Sequence, residues 1–429
     1  MRTPCVTVLV ATVTMVVTLG AEAHASPTSG WTSRVAVALS GGAPNNTSER
    51  PAISADGRYV AFSSAASNLV PRDTNGTTDV FVRDTRTGVT SRVSLTGTGG
   101  QVNRHSKDPD ISADGRYVAF LSYGTNILPG DPNALGNVYV RDRLAGTTMR
   151  ASPLPSSGQF DNNAAEPSIS ADGRYVAYMT YSALIPTDTN GTPDVYTWTR
   201  DTGAVERVSV SMAGGDSDGE SYGADISDDG RYVTFSSNAT NLVAGDDDGW
   251  DVFVRDRRAG TTTRVSVSGD GTPGNGGSSG ARISGDGRYV VFHSAASNLV
   301  DGDTNGRGDT FVRDRVTGTA ELVRIAAGGG QLPEIAQAVI SGNGRYVAFS
   351  AFTGGENHVL RLDRRTGATI IISLATNGAA ANGHSGQPTI SADGLVIAFV
   401  SIASNLVPGD TLGNEEVFLR RPRRHATHP

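Results

Sequence analysis

The residues best placed to do chemistry lie in a loop that the chain writes four times. Asp73-Thr74-Asn75-Gly76-Thr77-Thr78-Asp79 returns as Asp188-Thr189-Asn190-Gly191-Thr192-Pro193-Asp194 and as Asp303-Thr304-Asn305-Gly306-Arg307-Gly308-Asp309, with a compressed copy at Asp246-Asp247-Asp248-Gly249-Trp250-Asp251. Side-chain oxygens at alternate positions, a glycine that lets the chain turn sharply and a closing carboxylate could wrap a hard cation such as calcium, which takes roughly 6 to 8 oxygens in flexible geometry. The candidate ligands are therefore Asp73, Asn75 and Asp79; Asp188, Asn190 and Asp194; Asp246, Asp248 and Asp251; and Asp303, Asn305 and Asp309. Two carboxylates per loop would make such sites weak. A second reading competes: Asp, Asn and Gly are turn formers, and a side-chain oxygen that accepts from the backbone two residues on braces a loop with no metal. The pattern also lapses. Asn137 replaces the closing carboxylate after Asp131, Leu412 stands where Asn would between Asp410 and Glu416, and one copy shrinks to Gly354-Gly355-Glu356-Asn357.

Other chemistry is thinner. Gly276-Gly277-Ser278-Ser279-Gly280 fits Gly-x-Ser-x-Gly, but a nucleophile elbow needs a strand before it and a helix after it, and this stretch is a glycine-rich loop. The histidines at 105, 293, 358 and 384 show no metal or triad spacing. An enzymatic reading would have to rest on Lys107, His105 and Tyr222. Arg-Asp pairs such as Arg83-Asp84 and Arg255-Asp256 recur, and so do Tyr59, Tyr117, Tyr175, Tyr232, Tyr289 and Tyr346. A residue needed in every repeat most often serves packing or turns, whereas catalysis needs one site.

The elements that must position these residues are themselves periodic. Ile-Ser-Ala-Asp-Gly-Arg-Tyr-Val-Ala-Phe begins at Ile53, and close copies begin at Ile111, Ile169, Ile226, Ile283, Ile340 and Ile390, at intervals of 58, 58, 57, 57, 57 and 50 residues. Such a period marks stacked supersecondary units. Each unit reads as four short strands. Strand a (Pro51–Ser54) turns at Asp56-Gly57 into strand b (Arg58–Ser63), the Asp-Gly pair tolerating the positive φ of a tight hairpin. A loop leads to strand c (Asp79–Asp84), and a Thr-Gly turn leads to strand d (Thr90–Leu95). Strand c occurs seven times, but only six are followed by strand d; the missing copy is Ser33–Leu39, ahead of the first strand a. The expectation is an all-β, seven-bladed β-propeller of four-stranded antiparallel blades, closed by an N-terminal strand that completes the last blade. The b–c and d–a loops then emerge on one face and the tight turns on the other, which puts the working surface on the long-loop face.

These units resemble the WD-like propeller repeats of the TolB type, over roughly Ser33 to Arg421. The resemblance implies a propeller and a role in a cell-envelope complex; propellers of this kind also serve as binding platforms and a few are enzymes. Residues 1–25 read as a signal peptide, with an apolar run from Val6 to Leu19 and Ala23-His24-Ala25 as the cleavage site. Residues 26–32 form a short lead, 33–421 the propeller and 422–429 a basic tail. Cys5, the only cysteine, falls in the leader. The net charge of -7 is mild and spread out, so nucleic acid is not expected as a partner. The chain is expected outside the cell or in the envelope, as a monomer without stable membrane insertion, holding a protein or glycan on its loop-rich face. The alternatives are a polysaccharide lyase or hydrolase at the central channel and an envelope-complex subunit.

Overall fold

The computed structural model describes residues 30–130, 135–153, 163–246, 249–324, 335–410 and 413–422. The leader, Asp248, Asp131, Leu412 and the basic tail beyond residue 422 lie outside the described residues. Every regular element among those described is a strand, and the strands form seven separate four-stranded antiparallel sheets. Blade 1 runs Ser48–Ile53, Tyr59–Ser64, Asp79–Asp84 and Val89–Arg92, as strands a to d. Blades 2 to 6 repeat that order, and strand a of each touches strand a of the next, so the seven line a central channel.

Blade 7 contains Ser385–Ile390, Ile397–Ser401 and Glu416–Pro422, and its fourth strand is Gly30–Arg34 from the other end of the chain. Arg34 pairs with Phe418 and Trp31 with Arg421, and the Val35 amide donates to the Val417 carbonyl at 2.8 Å. The closing strand begins three residues earlier than Ser33. The seventh blade, alone in taking its outer strand from the other end of the chain, is thereby completed to four strands and closes the ring.

The core is seven cores, one between each pair of neighbouring blades. Val60, Phe62 and Phe81 of blade 1 pack with Ala398, Val400 and Val417 of blade 7 on one side, while Ala61, Val80 and Val82 pack with Val118, Phe120 and Tyr139 of blade 2 on the other. A strand covered on both faces must be apolar throughout, which is why Tyr-Val-Ala-Phe reads as a continuous run.

On the tight-turn face, the a–b turn is not the two-residue hairpin that Asp56-Gly57 suggests. The Gly57 amide donates to the Ser54 carbonyl, and only the glycine has positive φ, +70°. The Asp56 carboxylate accepts instead from the Ser54 hydroxyl at 2.8 Å and from the Arg58 amide at 2.9 Å. The residue before each turn aspartate then links blades directly. Ala55, Ala113, Ala171, Asp228 and Gly285 each donate to the equivalent carbonyl of the next blade, Asn343 donates to Ala392, and Ala392 returns to Ala55, all at 2.9–3.1 Å. This backbone circle narrows that end of the channel.

The repeated Arg, Tyr and Asp residues stitch the same face together. Tyr117 lies between the guanidinium groups of Arg116 and Arg200, 4.8 and 4.1 Å from its ring centroid, under Gly173 of blade 3. A Cβ on Gly173 would sit 2.3 Å from the ring, and φ there is +66°, so glycine is required twice over. Arg58 grips Asp84 with two hydrogen bonds, 3.1 and 2.7 Å, while Asp84 also accepts from the Arg86 and Thr87 amides. That holds its carboxyl below the usual range, the Arg58 hydrogen bonds contributing most.

Candidate functional site

The aspartate loops lie on the long-loop face, as the strand order requires, but their carboxylates are already engaged. In blade 1, Arg92 places Nη2 3.0 Å from Asp73 and Nε 3.4 Å from Asp79, and Ser94 donates to Asp79 at 2.6 Å. Blade 3 repeats the arrangement with Arg207 between Asp188 (3.5 Å), Asp194 (3.7 Å) and Asp216 (2.5 Å), and blade 4 with Arg264 between Asp246 (2.6 Å) and Asp251 (3.2 Å). In blade 7 the arginine comes from the closing strand: Arg34 holds Asp410 at 3.2 Å and also bonds Glu416. The asparagines take the bracing role that the turn reading expects. Asn75 accepts from the Thr77 amide two residues on (3.3 Å) and points its NH₂ at Asp79 (3.0 Å), and Asn190 and Asn305 do the same toward Asp194 and Asp309. A cation binding in blades 1, 3 or 4 would have to displace an arginine, and in blades 1 and 3 it would also have to turn an amide around.

Blade 5 differs. Leu322 occupies the position of Arg92, paired with Phe311 as Arg92 is with Phe81. Burial pushes the Asp309 carboxyl up, and the neighbouring Asp303 adds to the rise. Blade 6 lacks both signs at once. His358 stands where Asp79 does and bonds Ser373 at 3.1 Å, with Ile371 at the arginine position.

The second candidate region was not legible as a motif. The central channel encloses about 940 Å³ and is lined by the inner strands. Each of these strands carries a bulge whose residue has positive φ or is glycine: Arg50, Asp108, Glu166, Gly223, Gly280, Gln337 and Gln387. Around the mouth these residues pass hydrogen bonds from blade to blade. Gln337 accepts from the Gln387 amide (2.8 Å), Gln387 from the Arg50 amide (2.9 Å), and Glu166 from the Gly223 amide (3.0 Å), while Arg50 faces Asp108 at 3.5 Å. In blades 4 and 5, Gly223 and Gly280 have no side chain to pass on, so the circle breaks and the wall recedes.

Behind this gap lie Ser236, Ser279, His293 and Thr310, with Tyr222 and Trp250 beside it. Ser236 sits opposite Tyr222 across the strand pair, is almost fully buried, and its hydroxyl has no hydrogen-bond partner; neither does Nδ1 of His293. Buried polar atoms are rarely left so. Tyr222 stacks at 5.7 Å on Trp250 and meets the exposed Tyr181 edge-on at 6.5 Å, and its hydroxyl donates to Glu220 at 3.0 Å.

One layer down, the position that is Ala52 in blade 1 becomes Asp110, Ser168, Asp225 and Arg282 in blades 2 to 5. Asp110 accepts from the Ile169 amide (2.8 Å) and Asp225 from the Ile283 amide (2.7 Å) and the Ser168 hydroxyl (3.0 Å). Burial pushes Asp110 up to about 6 and raises Asp225, whose rise the Arg282 charge opposes. Five carboxylates and three basic side chains line the channel as a whole, and burial raises three of the carboxylates, Asp110, Asp225 and Asp228.

Of the residues on which an enzymatic reading would rest, Lys107 and Tyr222 do reach the channel mouth. His105 stays at the rim, accepting from the Thr78 amide at 3.1 Å. It is also repeated, since His384 accepts from the Asn357 amide at 3.1 Å in the corresponding place between blades 6 and 7. Ser278 opens an inner strand and bonds Ser294 at 2.8 Å, as Ser48 bonds Ser64, so the Gly-x-Ser-x-Gly match is a packing serine with no helix after it. Among the described residues no three His, Cys, Asp or Glu side chains converge as a metal-holding group, and no helix is long and apolar enough to cross a membrane.

No family model matches the chain, and no curated protein matches its sequence. Solved structures do. An oligogalacturonate lyase in complex with manganese superposes over 93% of this chain and 92% of its own, with a TM-score of 0.56 and 11% identity. A structure from a study of two prolyl endopeptidases gives a TM-score of 0.54 at 11% identity, covering 88% of this chain and 50% of that one. TolB from Acinetobacter baumannii matches at 16% identity and a TM-score of 0.43 over 73% of this chain, which spans 62% of that TolB. At these identities the likeness is one of fold. TolB proteins are thus among the structural neighbours, beside lyase and peptidase propellers, and the chain has the seven-bladed β-propeller that its TolB-type repeats imply.

Proposed function

We propose that the chain is an exported, non-enzymatic propeller that holds a protein or an extracellular glycan at the mouth of its channel on the long-loop face. The observation that carries this reading is the recess of blades 4 and 5, where the repeat gives up two bulge side chains and leaves partnerless polar atoms beside an aromatic cluster. Function tends to sit where a repeating scaffold departs from its own rule. The signal-like leader supports export, and ring closure within one chain supports a monomer. The polar lining suits a ligand rich in hydroxyl, amide or amine groups.

A calcium role, on this reading, narrows to one loop. In blade 5 Leu322 replaces the arginine of blades 1, 3 and 4, so a divalent ion held by Asp303, Asn305 and Asp309 would stiffen the rim next to the recess.

The test is to fill the recess. Ser279 is exposed on the inner strand, and Ser279→Trp should abolish retention on an extracellular-polymer or surface-protein array while leaving the melting temperature within about 2 °C of the parent. Equal retention by both proteins would refute the location, and shortening of a bound polymer on incubation would favour the enzyme.

A further inference from the structure

We propose that the recess of blades 4 and 5 is a saccharide site selective for an oligosaccharide bearing free amines. This rests on the binding reading above and names its ligand class.

Three independent features converge there. The first is aromatic surface at the mouth. Trp250 and Tyr222 stand at positions that are Thr78, Gly136, Pro193, Gly308, Asn357 and Glu415, and Glu49, Lys107, Ala165, Ser279, Ala336 and Gly386, in the other blades. Blade packing therefore does not ask for them. Their tilted pair, 5.7 Å apart and extended by Tyr181, offers ring faces to the C–H side of a pyranose or to a cation.

The second feature is the pair of partnerless polar atoms. The Ser236 hydroxyl and the His293 Nδ1 can each make a hydrogen bond that the protein itself does not supply. Ser236 is directly opposite Tyr222 on the neighbouring strand, so a sugar ring stacked on the aromatics would hold its hydroxyls within reach of that side of the recess.

The third feature is charge. Glu220 lies at the Tyr222 hydroxyl, Asp225 is one layer below, and Glu166 flanks the gap on the blade 3 side. Of the basic side chains in the channel, Arg50 faces Asp108, the Lys107 ammonium lies over the Tyr123 ring at 5.9 Å, and Arg282 offsets Asp225. Glu220 and Glu166 remain as the carboxylates beside the gap. An ammonium group gains from both the carboxylates and the aromatic faces, whereas a uronate would meet repulsion.

The probes are a glucosamine hexamer, its fully N-acetylated counterpart and an oligogalacturonate of equal length, titrated against the full chain at pH 6 by calorimetry and tryptophan fluorescence. The glucosamine oligomer should bind at least about tenfold more tightly than the N-acetylated one, and oligogalacturonate not at all. Trp250→Ala should weaken binding of the amine-bearing oligomer about tenfold. Tyr181→Ala, at an exposed ring, tests the same face without risk to folding. Glu220→Gln should shrink the preference for the amine, read as the ratio of the affinities for the two oligomers. Binding of oligogalacturonate as tight as that of the glucosamine oligomer would overturn the assignment, as would indifference to Tyr181→Ala and Trp250→Ala. If no saccharide binds but Ser279→Trp still abolishes capture of a protein partner, the saccharide class fails and the platform reading stands. If neither is seen, both fail.

Discussion

Replacing Arg207 with methionine should damage the fold in a way that depends on pH. The Arg207 side chain is 1% exposed and stands among Asp188, Asp194 and Asp216, the first two of which have side chains 4% and 0% exposed. Methionine fills much of the same volume but leaves buried carboxylates facing one another, and removing one partner from such a cluster costs about 3–5 kcal/mol. The loss has an outlet, because burial already pushes Asp194 up to about 6, with Asp188 adding to the rise and Arg207 opposing it. Without the arginine the folded-state value climbs further, while the unfolded value stays near ~3.9. The folded variant then binds a proton that the unfolded chain has released, so stability falls as pH rises through the interval from about 4 to above 6. Urea unfolding of parent and variant at pH 5 and pH 8 should show the full loss at pH 8 and at least ~1 kcal/mol less at pH 5. Millimolar calcium should restore the variant at pH 8, by about 2.7 kcal/mol at a hundredfold excess over the dissociation constant, and leave the aspartate loop of blade 3 in the parent unaffected. A loss below ~1 kcal/mol at pH 8, or one equal at both pH values, would show that the arginine is not what holds these carboxylates.

The reciprocal change, Leu322→Arg, supplies blade 5 with the guanidinium of its neighbours; melting should rise at pH 8, and any response to calcium in the parent should vanish in a paired scan. Gly173→Ala and Gly191→Ala share nearly the same φ, +66° and +69°, but only the first would place Cβ on a ring while the second has open space around it. Both should lose about 1 kcal/mol to backbone strain and Gly173→Ala a further ~1–3 kcal/mol, read as the difference between two denaturation midpoints. Arg34→Met unpairs Asp410 and Glu416 at the seam, so hydrogen exchange should quicken in blade 7 before any other blade. Across the whole protein, Asp110 and Asp194, raised to about 6, disfavour the fold increasingly as pH climbs from about 4 toward 7, whereas Asp142 and Asp256, held to about 2 chiefly by Arg116 and Arg231, lose their contribution as pH falls below about 4. Melting temperature should therefore peak between about pH 4 and 5, and a steady rise to pH 8 would contradict these assignments.

The fold was legible because each unit repeats its own instructions. Ser54, Asp56, Gly57 and Tyr59 recur, and each has a local task that the structure bears out, in a turn or under a neighbouring glycine. Counting strands c and d located the displaced strand, since six and seven cannot be reconciled without borrowing one from the other end. Boundaries were less legible: the sequence begins strand a at Pro51, whereas pairing starts at Ser48, because the bulge at Arg50 interrupts the alternation that marks a strand. The arginines at positions 92, 207 and 264 went unread as partners of the aspartate loops. Their distance along the chain, across strand c and a turn, hides a contact that only the b–c–d hairpin creates.

The seven copies also allow a comparison that one sequence seldom offers. At the loop position five of seven blades carry a carboxylate, and where blade 6 gives up its aspartate for His358 it gives up the arginine for Ile371 as well. Joint loss is what a coupled pair requires, since either charge alone would be buried without its counterpart. Blade 2 keeps Arg150 where Asn137 replaces the carboxylate, and blade 5 keeps its carboxylates where Leu322 replaces the arginine; blade 5 also has Gly280 at the bulge, Thr310 where most blades have valine and Arg282 facing the channel. Four departures in one blade, next to the two aromatic departures of blade 4, fall on contiguous surface. Drift in a symmetric scaffold would scatter them among seven blades; their clustering at one stretch of the mouth is the physical reason to seek the ligand there and not at the channel centre.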